Sequence, residues 1–492
     1  MIDDQIPIEI PEKMGIPSGA ILQMIDHLEQ RQINMHSLLV LRNGVLVSEH
    51  YWQPYTKDDT HRMYSASKSF VSVAVGLMID KKLLVLDDTI ASFFPGELPD
   101  HPHPWLLKTT VRDFLMMADC HEKNTYVFSD TNWRRTWFNT KPDHLPGTIF
   151  NYSTICTNIL TAIVEKISGT NLLDFMRPGI LDPIGFSKTA WCIKNPEGTS
   201  FGGSGICCTS RDLARFGLLC LNKGEWQGRQ LISRAYMDEA TSFQIPTVFA
   251  NPYVEQRQGY GYQFWMTRHN GFACAGMGGQ LAICLPEKDL LVVTTGDSMG
   301  LASDVDEIIR AVFEVLYPRL SSTSLEVNRE ISGRLEERSK NLSVLPMAGS
   351  ADSPIKKELS KKRFHLESNV LNISCIQFIF ENDQGKMVYE KHGESHEINF
   401  GFGTLIEGNF PEKIYSGSQI GKAKNKGYRI YSSAAWAGTK TLLIMVYVMD
   451  DYLATLKITV SFPENEISLR MVNTAEAFLD DYSGFAAGTS IQ

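Results

Sequence analysis

Apolar residues recur with two different periods along the chain, and the change of period divides it. In the first part they recur at helical spacing in several windows, with short strand-like runs at both ends. After Arg363 the period falls to two, which is typical of half-buried strands. The pattern predicts an α+β domain at residues 1–340, a linker rich in Ser, Lys and Pro at 341–362, and a smaller all-β domain at 363–492.

Strands are predicted at both ends of the first domain. Near its start, Leu38–Arg42 and Val45–His50 flank Asn43-Gly44, a dipeptide that favours the tight turn of a hairpin. Near its end the predicted strands are 260–267, 280–285 and 290–295. Because the middle of the domain is mainly helical, we expect a sheet assembled from its two ends.

Helices with defined ends are predicted between these strands. They cover residues 20–30, 155–167, 211–222 and 304–317. Gly169 follows the second helix, and Thr209 or Ser210 precedes the third, as expected at helix ends and starts. The strands predicted in the all-β domain are 373–380, 442–448, 456–462 and 467–471.

Composition and charge limit the possible partners. The 492 residues carry 47 basic and 56 acidic side chains, a net charge of −9, which argues against nucleic acid or an anionic membrane as a partner. We find no apolar run of the length needed for an export signal or a membrane span, and the nine cysteines lack metal-ligand spacing. We therefore expect a cytoplasmic protein with reduced cysteines, no metal and no cofactor. The sequence does not define an oligomeric state.

Ser65 and Lys68 are the strongest candidates for chemistry. They lie in Ser65-Ala66-Ser67-Lys68, three positions apart and so on one face of a helix. A serine hydroxyl attacks a carbonyl when a neighbour accepts its proton, and a buried, neutral lysine can do so. An apolar stripe predicts that burial, and a nucleophile at the N-terminus of a buried helix gains from the free N–H groups there. The stripe consists of Phe70, Val73, Ala74, Leu77 and Met78.

Two other serine patterns compete with Ser65. Ser353-Pro354-Ile355-Lys356 has the same spacing, but its proline and polar neighbours place it in the predicted linker. Gly296-Asp297-Ser298-Met299-Gly300 matches the G-x-S-x-G elbow of another hydrolase class, in which the serine stands between a strand and a helix. Here the next predicted helix starts several residues later, and the βαβ series of a parallel sheet is missing. We therefore prefer Ser65.

With these residues in place, the chain resembles the serine hydrolases related to class C β-lactamases, which include DD-peptidases, esterases and 6-aminohexanoate-oligomer hydrolases. The family's first motif is similar to Arg62–Phe70, and its second to Tyr152-Ser153-Thr154. Later landmarks follow in the expected order: Pro183–Phe186, Thr209–Gly217 and Gly276–Gln280. The resemblance spans residues 15–320. It implies a β-lactamase/transpeptidase-like fold, an antiparallel sheet flanked by helices plus a helical region, and leaves the β domain unexplained.

The second motif implies a further proton carrier. Tyr152 would share a proton with Ser65 and Lys68 and deliver it to the leaving group. Acting as a base would require a pKa below the usual value of about 10, for which a neighbouring ammonium is the usual cause. Thr154 either contributes to substrate binding or caps the helix that follows.

The third motif departs from the family pattern. In β-lactamases it is Lys-Thr-Gly, whereas this chain has Cys274-Ala275-Gly276 in that position. His269-Asn270-Gly271 matches the His-x-Gly of many esterase relatives, but it fits a hairpin turn better. By the resemblance, Gly276 and Cys274 border the substrate, and the N–H of Met277 forms an oxyanion hole with that of Ser65.

These observations predict a serine hydrolase that cleaves a small-molecule ester or amide through an acyl-enzyme on Ser65. The missing cation of the third motif makes a β-lactamase or D-amino-acid-specific peptidase the second choice. A non-catalytic ligand-binding or sensing module is a third reading. Retention of Ser65, Lys68 and Tyr152 argues against it, since binding alone needs none of them. We expect the β domain to shape or stabilise the protein.

Overall fold

The computed structural model of the protein describes residues 6–249, 253–299, 304–411, 428–450, 453–475 and 479–491. They belong to two compact units that are divided between Val344 and Leu345. Unit 1 is residues 1–344, and unit 2 is residues 345–492.

Unit 1 holds most of the helices. Its α-helices are α1 (Ser18–Gln30), α2 (Ser67–Asp80), α3 (Ile90–Phe93), α4 (Pro104–Lys108), α5 (Val111–Leu115), α6 (Trp133–Asn139), α7 (Thr154–Ser168), α8 (Leu172–Met176), α9 (Ser210–Leu221), α10 (Arg234–Ala240), α11 (Asp304–Ala311) and α12 (Arg329–Lys340). Short 3₁₀ or π turns lie at Pro11–Met14, Tyr64–Ala66, Pro95–Glu97, Arg177–Leu181, Val254–Arg257, Pro286–Lys288, Val312–Leu316 and Tyr317–Arg319. Unit 2 adds α13 (Lys356–Leu359) and a 3₁₀ turn at Asp480–Tyr482.

Both units contain strands. Those of unit 1 are β1 (Met35–Arg42), β2 (Val45–Tyr51), β3 (Thr60–Arg62), β4 (Trp191–Cys192), β5 (Ile206–Thr209), β6 (Glu225–Trp226), β7 (Arg229–Gln230), β8 (Trp265–Thr267), β9 (Gly271–Gly276), β10 (Gln280–Leu285) and β11 (Leu290–Gly296). Those of unit 2 are β12 (Arg363–Leu366), β13 (Ile373–Glu381), β14 (Gln384–Lys391), β15 (Glu394–Phe402), β16 (Ile406–Asn409), β17 (Arg429–Trp436), β18 (Thr441–Met449), β19 (Leu453–Ser461), β20 (Glu466–Ala475) and β21 (Gly484–Ile491).

The core of unit 1 is an antiparallel sheet with strand order β2-β1-β11-β10-β9-β8. Every residue of β1 is buried, and Val40 lies opposite Val292 of β11. The predicted hairpin joins β1 to β2, with Asn43 and Gly44 at φ values of 51° and 75°, as its tight turn requires. The sheet is therefore assembled from the two ends of the unit, as the sequence predicts.

Two helices of the middle have the predicted ends. Helix α7 stops before Gly169, which adopts the left-handed φ of 71° that glycine tolerates without strain. Helix α9 begins after Thr209, whose hydroxyl accepts from Asp212 N while the Asp212 carboxylate accepts from Thr209 N. This reciprocal capping box satisfies N–H groups that a helix start leaves free.

Two predicted elements are shorter in the structure. The strand expected at 260–267 is limited to β8, because Gln263 has a φ of 64° and its N–H donates to Leu115 O at 3.0 Å instead of a strand partner. The helix expected at 304–317 ends as α11 at Ala311, and a π turn follows at Val312–Leu316. Both corrections concern places where tertiary contacts override the local pattern.

Unit 2 is a closed sheet of ten strands. Its order runs from β15 through β14, β13, β12, β21, β20, β19, β18 and β17 to β16, and β15 also pairs with β17 in parallel, which closes it into a barrel. Aromatic side chains fill the interior, where Phe462 lies 5.4 Å from Phe378 and 6.0 Å from Trp436 between ring centroids. The predicted all-β character is confirmed.

The predicted linker at 341–362 is mostly part of unit 2. Leu345 O accepts from Tyr447 Oη at 2.9 Å, and the backbones of Ser350 and Trp436 exchange two hydrogen bonds. Helix α13 buries Leu359. These contacts explain why a segment of linker-like composition is ordered on the barrel.

Among the helices of the described residues, we find none with the length and apolar content to span a membrane.

Candidate active site

Ser65 lies in a 3₁₀ turn, Tyr64–Ala66, immediately before α2. The prediction placed it at the N-terminus of the helix itself, so this is a correction of two residues. Tyr64 adopts a φ of 45°, which is sterically unfavourable for a non-glycine residue. Such strain next to a nucleophile is often found where a turn presents a side chain to a site. The turn keeps Ser65 partly exposed while its neighbours are buried.

Helix α2 is buried on all sides rather than along one stripe. The residues from Ser67 to Met78 are all buried. Its polar side chains are paired: Ser69 Oγ donates to Gln263 O at 2.7 Å, and Ser72 Oγ lies 3.0 Å from Tyr236 Oη. The helix therefore serves as a central support that fixes Lys68 in the interior.

Lys68 lies against Ser65, as the spacing of three residues predicts. Its Nζ donates to Ser65 Oγ at 3.1 Å and to Gly203 O at 2.6 Å, and only 1% of the lysine is exposed. The same nitrogen lies 5.0 Å from the centroid of the Tyr152 ring. Ser65, Lys68 and Tyr152, all named from the sequence, are thus brought together.

The state of Tyr152 differs from the expectation. Burial raises its pKa to about 12, although hydrogen bonds with Ser65 and Trp265 oppose the rise. The expected lowering by an ammonium is not found, because burial is the largest effect on the pKa of Tyr152. Tyr152 therefore holds its proton at neutral pH, which suits a proton donor better than a base.

An aromatic wall surrounds Tyr152. The centroid of the Trp265 ring lies 5.4 Å from that of Tyr152, and those of Tyr260 and Phe150 lie 6.3 and 6.5 Å from it. The sequence analysis did not select Trp265, Tyr260 or Phe150. All three residues lie in or near segments that the sequence analysis considered. That they surround the Tyr152 ring depends on the tertiary fold.

The predicted oxyanion segment packs on the nucleophile turn. Gly276 ends β9, and a Cβ atom there would lie 2.2 Å from Met63 O, so a larger residue would push the strand away. Met277 follows in the turn to β10, where Gln280 Nε2 donates to Met277 O at 2.8 Å and to Gly296 O at 2.9 Å. Gly276 and the Met277 backbone are therefore held close to the segment that carries Ser65.

Two further predicted site residues have different surroundings. Cys274 is fully buried, and its side chain contacts Cys220 of α9. Thr154 does not cap its helix, because α7 begins with Thr154 itself and Asn124 Oδ1 accepts from Ile155 N at 3.2 Å. The Thr154 methyl group instead packs on Gly203.

The competing patterns do not assemble a site. His269 has a φ of 57° in the turn between β8 and β9 and stacks on Tyr317 at 4.2 Å. Strand β9 separates it from Gly276 by roughly 17 Å at the usual rise per residue. In the described residues the sheet that carries β11 is antiparallel, and the next helix begins at Asp304, so Ser298 is not on an elbow; Gly300 lies outside those residues. Ser353 Oγ donates to Thr439 O in unit 2.

A buried carboxyl group lies behind the Tyr152 segment. Asp119 is fully buried and its Oδ2 accepts from Trp137 Nε1 at 2.8 Å. Burial raises the pKa of Asp119 from 3.8 to about 6, against the opposing effect of that hydrogen bond. The next loop residues hold the active-site segment, since His121 O accepts from Asn151 Nδ2 at 2.8 Å.

We expect Asp119→Asn to change how stability depends on pH. Because the folded-state pKa is raised, the fold favours the protonated form, and this contribution is present below pH 3.8 and lost as pH rises through 6. The amide keeps the Trp137 acceptor without the charge. Relative to the unchanged protein, the variant should gain about 2 kcal/mol of unfolding free energy between pH 4 and pH 7.

Urea unfolding at several pH values measures this difference. Asp100→Asn, at an exposed carboxylate, is the control and should show no such trend. A difference between Asp119→Asn and the unchanged protein that stays constant with pH would contradict the prediction.

The described residues contain no group of three or more His, Cys, Asp or Glu side chains arranged to hold a metal ion.

The chain is similar in sequence to known proteins. The sequence model of the family described as Beta-lactamase matches residues 21–317. The 6-aminohexanoate-dimer hydrolase of Paenarthrobacter ureafaciens is 24% identical over 312 residues, which cover 58% of this chain and 78% of that protein.

Solved structures are similar to this chain at low sequence identity. A family VIII carboxylesterase is 14% identical with a TM-score of 0.50, and the match covers 63% of this chain and 99% of that one. The octameric penicillin-binding protein homologue from Pyrococcus abyssi is 15% identical with a TM-score of 0.48, over 95% of this chain and 99% of that one. The predicted β-lactamase/transpeptidase-like fold is confirmed. Because the family model covers more than half of its length, the chain belongs to the Beta-lactamase family of hydrolases.

Proposed function

We propose that the protein is a serine hydrolase that cleaves small esters or amides through an acyl-enzyme on Ser65. The observation that carries the proposal is the Lys68 amine, 1% exposed and 3.1 Å from Ser65 Oγ. A buried amine in hydrogen-bond reach of a serine is the arrangement that general-base activation of a hydroxyl requires.

The first half of the reaction uses the three residues in turn. Ser65 Oγ bonds to the substrate carbonyl carbon while its proton moves to Lys68 Nζ. The carbonyl π electrons move to the oxygen, which the N–H groups of Ser65 and Met277 stabilise. When the bond to the leaving group breaks, that group takes the proton of Tyr152, and Lys68 returns its proton to Tyr152.

Water completes the reaction. A water molecule attacks the acyl carbon and gives up a proton through the same pair, and Ser65 Oγ leaves with a proton as the acid departs. The role of Tyr152 as donor follows from its pKa of about 12, which keeps the hydroxyl protonated until a basic leaving group forms.

The substrate class is proposed from the residues that surround the site. The buried rings of Phe150, Tyr260 and Trp265 pack around Tyr152 and make its surroundings apolar, which suits a small uncharged substrate. Cys274 stands where β-lactamases carry a lysine, and it is buried, so a substrate carboxylate would lack that cation. Small esters and amides therefore fit the site better than β-lactams or D-aminoacyl peptides.

A substrate panel tests this proposal. We expect turnover of short p-nitrophenyl esters or of small linear amides, and nitrocefin hydrolysis with kcat/KM well below about 10⁴ M⁻¹s⁻¹, the lower end of the common enzyme range. D-Aminoacyl p-nitroanilides test the peptidase alternative. Turnover of nitrocefin or of those peptides above that value, with slow ester and amide hydrolysis, would contradict the proposed substrate class.

A further inference from the structure

Lys68 depends on a second segment of the chain for its position. Besides Ser65, its Nζ donates to the carbonyl of Gly203, at 2.6 Å. Gly203 lies in the loop Ser200-Phe201-Gly202-Gly203-Ser204-Gly205, called the glycine loop below, which leads into β5. Nothing in the loop is charged, so the orientation of one peptide group decides whether the lysine has this acceptor.

The glycine loop rests on one face of α7. Thr154 and Asn158 are four residues apart and therefore lie on the same helix face. A Cβ atom at Gly203 would come within 2.6 Å of Thr154 Cγ2 and 3.0 Å of Asn158 Oδ1, and one at Gly202 would come within 2.0 Å of Thr161 Oγ1. Only glycine lets the loop lie so close to the helix.

Asn158 makes the polar contact of this interface. Its Oδ1 accepts from Gly203 N at 3.2 Å, so the Gly203 residue is bonded at its N–H to α7 and at its carbonyl to Lys68. Asn158 is 3% exposed, and among the described residues its Nδ2 has no hydrogen-bond partner. A buried donor without a partner destabilises the fold, and an apolar residue at this position would avoid that cost.

We propose that Asn158 is a positioning residue of the reaction, which holds the Gly203 peptide so that its carbonyl fixes the Lys68 amine beside Ser65. The proposal rests on the proposed function, because the lysine needs this position only if Ser65 is the nucleophile. Asn158 acts through Gly203, because its Oδ1 accepts from Gly203 N while the Gly203 carbonyl accepts from Lys68 Nζ.

The other groups around the glycine loop do not replace this contact. Arg62 holds the next residue, with Nε donating to Ser204 O at 2.8 Å and a second nitrogen donating to Ser204 Oγ at 2.9 Å. Among titratable groups, the Tyr152 ring lies 5.0 Å from the lysine nitrogen, and Arg62 bonds to Ser204 of the glycine loop. Neither bonds to Gly203 N.

Two substitutions of Asn158 distinguish the effect of losing the Gly203 contact from the effect of adding a charge near Lys68. Asn158→Ala removes the acceptor of Gly203 N–H and frees the carbonyl that stabilises the ammonium form of the lysine. Asn158→Asp keeps an oxygen in the same place and adds a negative charge, which favours the ammonium form. The two variants should therefore move the acid limb of the pH profile in opposite directions.

The readout is the rate of acylation of the full-length protein by a fluorophosphonate probe between pH 5 and pH 10. We expect Asn158→Ala to be slower by about tenfold, with its acid limb at lower pH. For Asn158→Asp we expect a rate at high pH within a few fold of the unchanged protein and an acid limb about one pH unit higher. Circular dichroism checks folding, and the isosteric aspartate variant keeps the test valid if the alanine variant does not fold.

Thr157→Val is the matched control. Thr157 is the preceding residue of α7, is also buried, and its Oγ1 donates to Gln263 Oε1 at 2.6 Å on another face. Thr157→Val should lower the stability of the fold and leave the pH profile of acylation unchanged. The proposal is overturned if the acid limb of the acylation profile has the same midpoint pH in both Asn158 variants as in the unchanged protein, whatever their rates. Failure of the unchanged protein to be labelled at Ser65 instead overturns the proposed function, and the two failures are distinguishable.

Discussion

Replacing Ser65 by alanine is expected to lower kcat by about 10⁴-fold or more, because the acyl-enzyme can no longer form. The substitution removes one partly exposed hydroxyl from a 3₁₀ turn, so the fold should remain unchanged. A fluorophosphonate probe should label the peptide that carries Ser65 in the unchanged protein and leave Ser65→Ala unlabelled. Mass spectrometry of the labelled peptide and steady-state ester hydrolysis measure the two effects.

Ser298→Ala is the control for this experiment. Ser298 belongs to the competing G-x-S-x-G pattern and is 2% exposed at the end of β11. Its replacement should leave labelling and turnover near those of the unchanged protein. Labelling that persists in Ser65→Ala and disappears in Ser298→Ala would assign the nucleophile to Ser298.

Lys68→Ala and Tyr152→Phe are each expected to lower kcat by about 10²-fold or more. In the proposed mechanism Lys68, whose Nζ donates to Ser65 Oγ at 3.1 Å, takes the proton of Ser65, and Tyr152 supplies the proton of the leaving group. Because one proton passes between the two residues, the double variant should lose little more than the worse single variant. Steady-state kinetics of the two single variants and the double variant measure the coupling.

The leaving group provides an internal control. p-Nitrophenolate is a good leaving group that needs no proton at neutral pH, whereas an alkoxide or amine does. Tyr152→Phe should therefore impair alkyl esters and amides more than p-nitrophenyl esters, while Lys68→Ala should impair all of them. Equal losses for activated and unactivated substrates in Tyr152→Phe would remove the tyrosine from protonation of the leaving group.

The parts of the site that could be predicted are those that depend on local spacing or on a motif. Ser65 and Lys68 are three residues apart, so their contact follows from backbone geometry near the start of a helix. Tyr152 required the resemblance to a family, because nothing local distinguishes it from a core tyrosine. The hairpin at Asn43-Gly44 could also be predicted from local sequence, because this dipeptide favours a tight turn.

The remaining parts depend on contacts between distant residues. Gly203 is 135 positions from Lys68 and offers only a backbone carbonyl, which every residue possesses. The raised pKa of Tyr152 arises from its burial in the folded unit, and the sequence had suggested the opposite direction. Doubled glycines are a signal of close backbone approach, and Gly202-Gly203 could have been selected on that ground.

The composition of residues 341–362 does not reveal how this segment is ordered. Ser, Lys and Pro between residues 341 and 362 suggested a linker, yet much of the segment bonds to the barrel of unit 2. The apolar run of β18 and the alternating residues of β19 made these strands predictable. Strands β14, β15 and β16 carry many charged or glycine residues and gave no clear alternation.

The central pairing of β1 with β11 has a consequence for synthesis of the protein. Arg42 lies opposite Leu290, so a nascent chain can pair β1 with β2 at once but leaves the other edge of this buried strand open until the helical middle and β11 have been translated. Closing so long a loop is entropically slow, and a strand with one open edge invites association with other chains. Hydrolase competence should thus arise late, in a single step when β11 emerges from the ribosome, and production of the protein should respond to chaperone supply more than to the strength of any single contact.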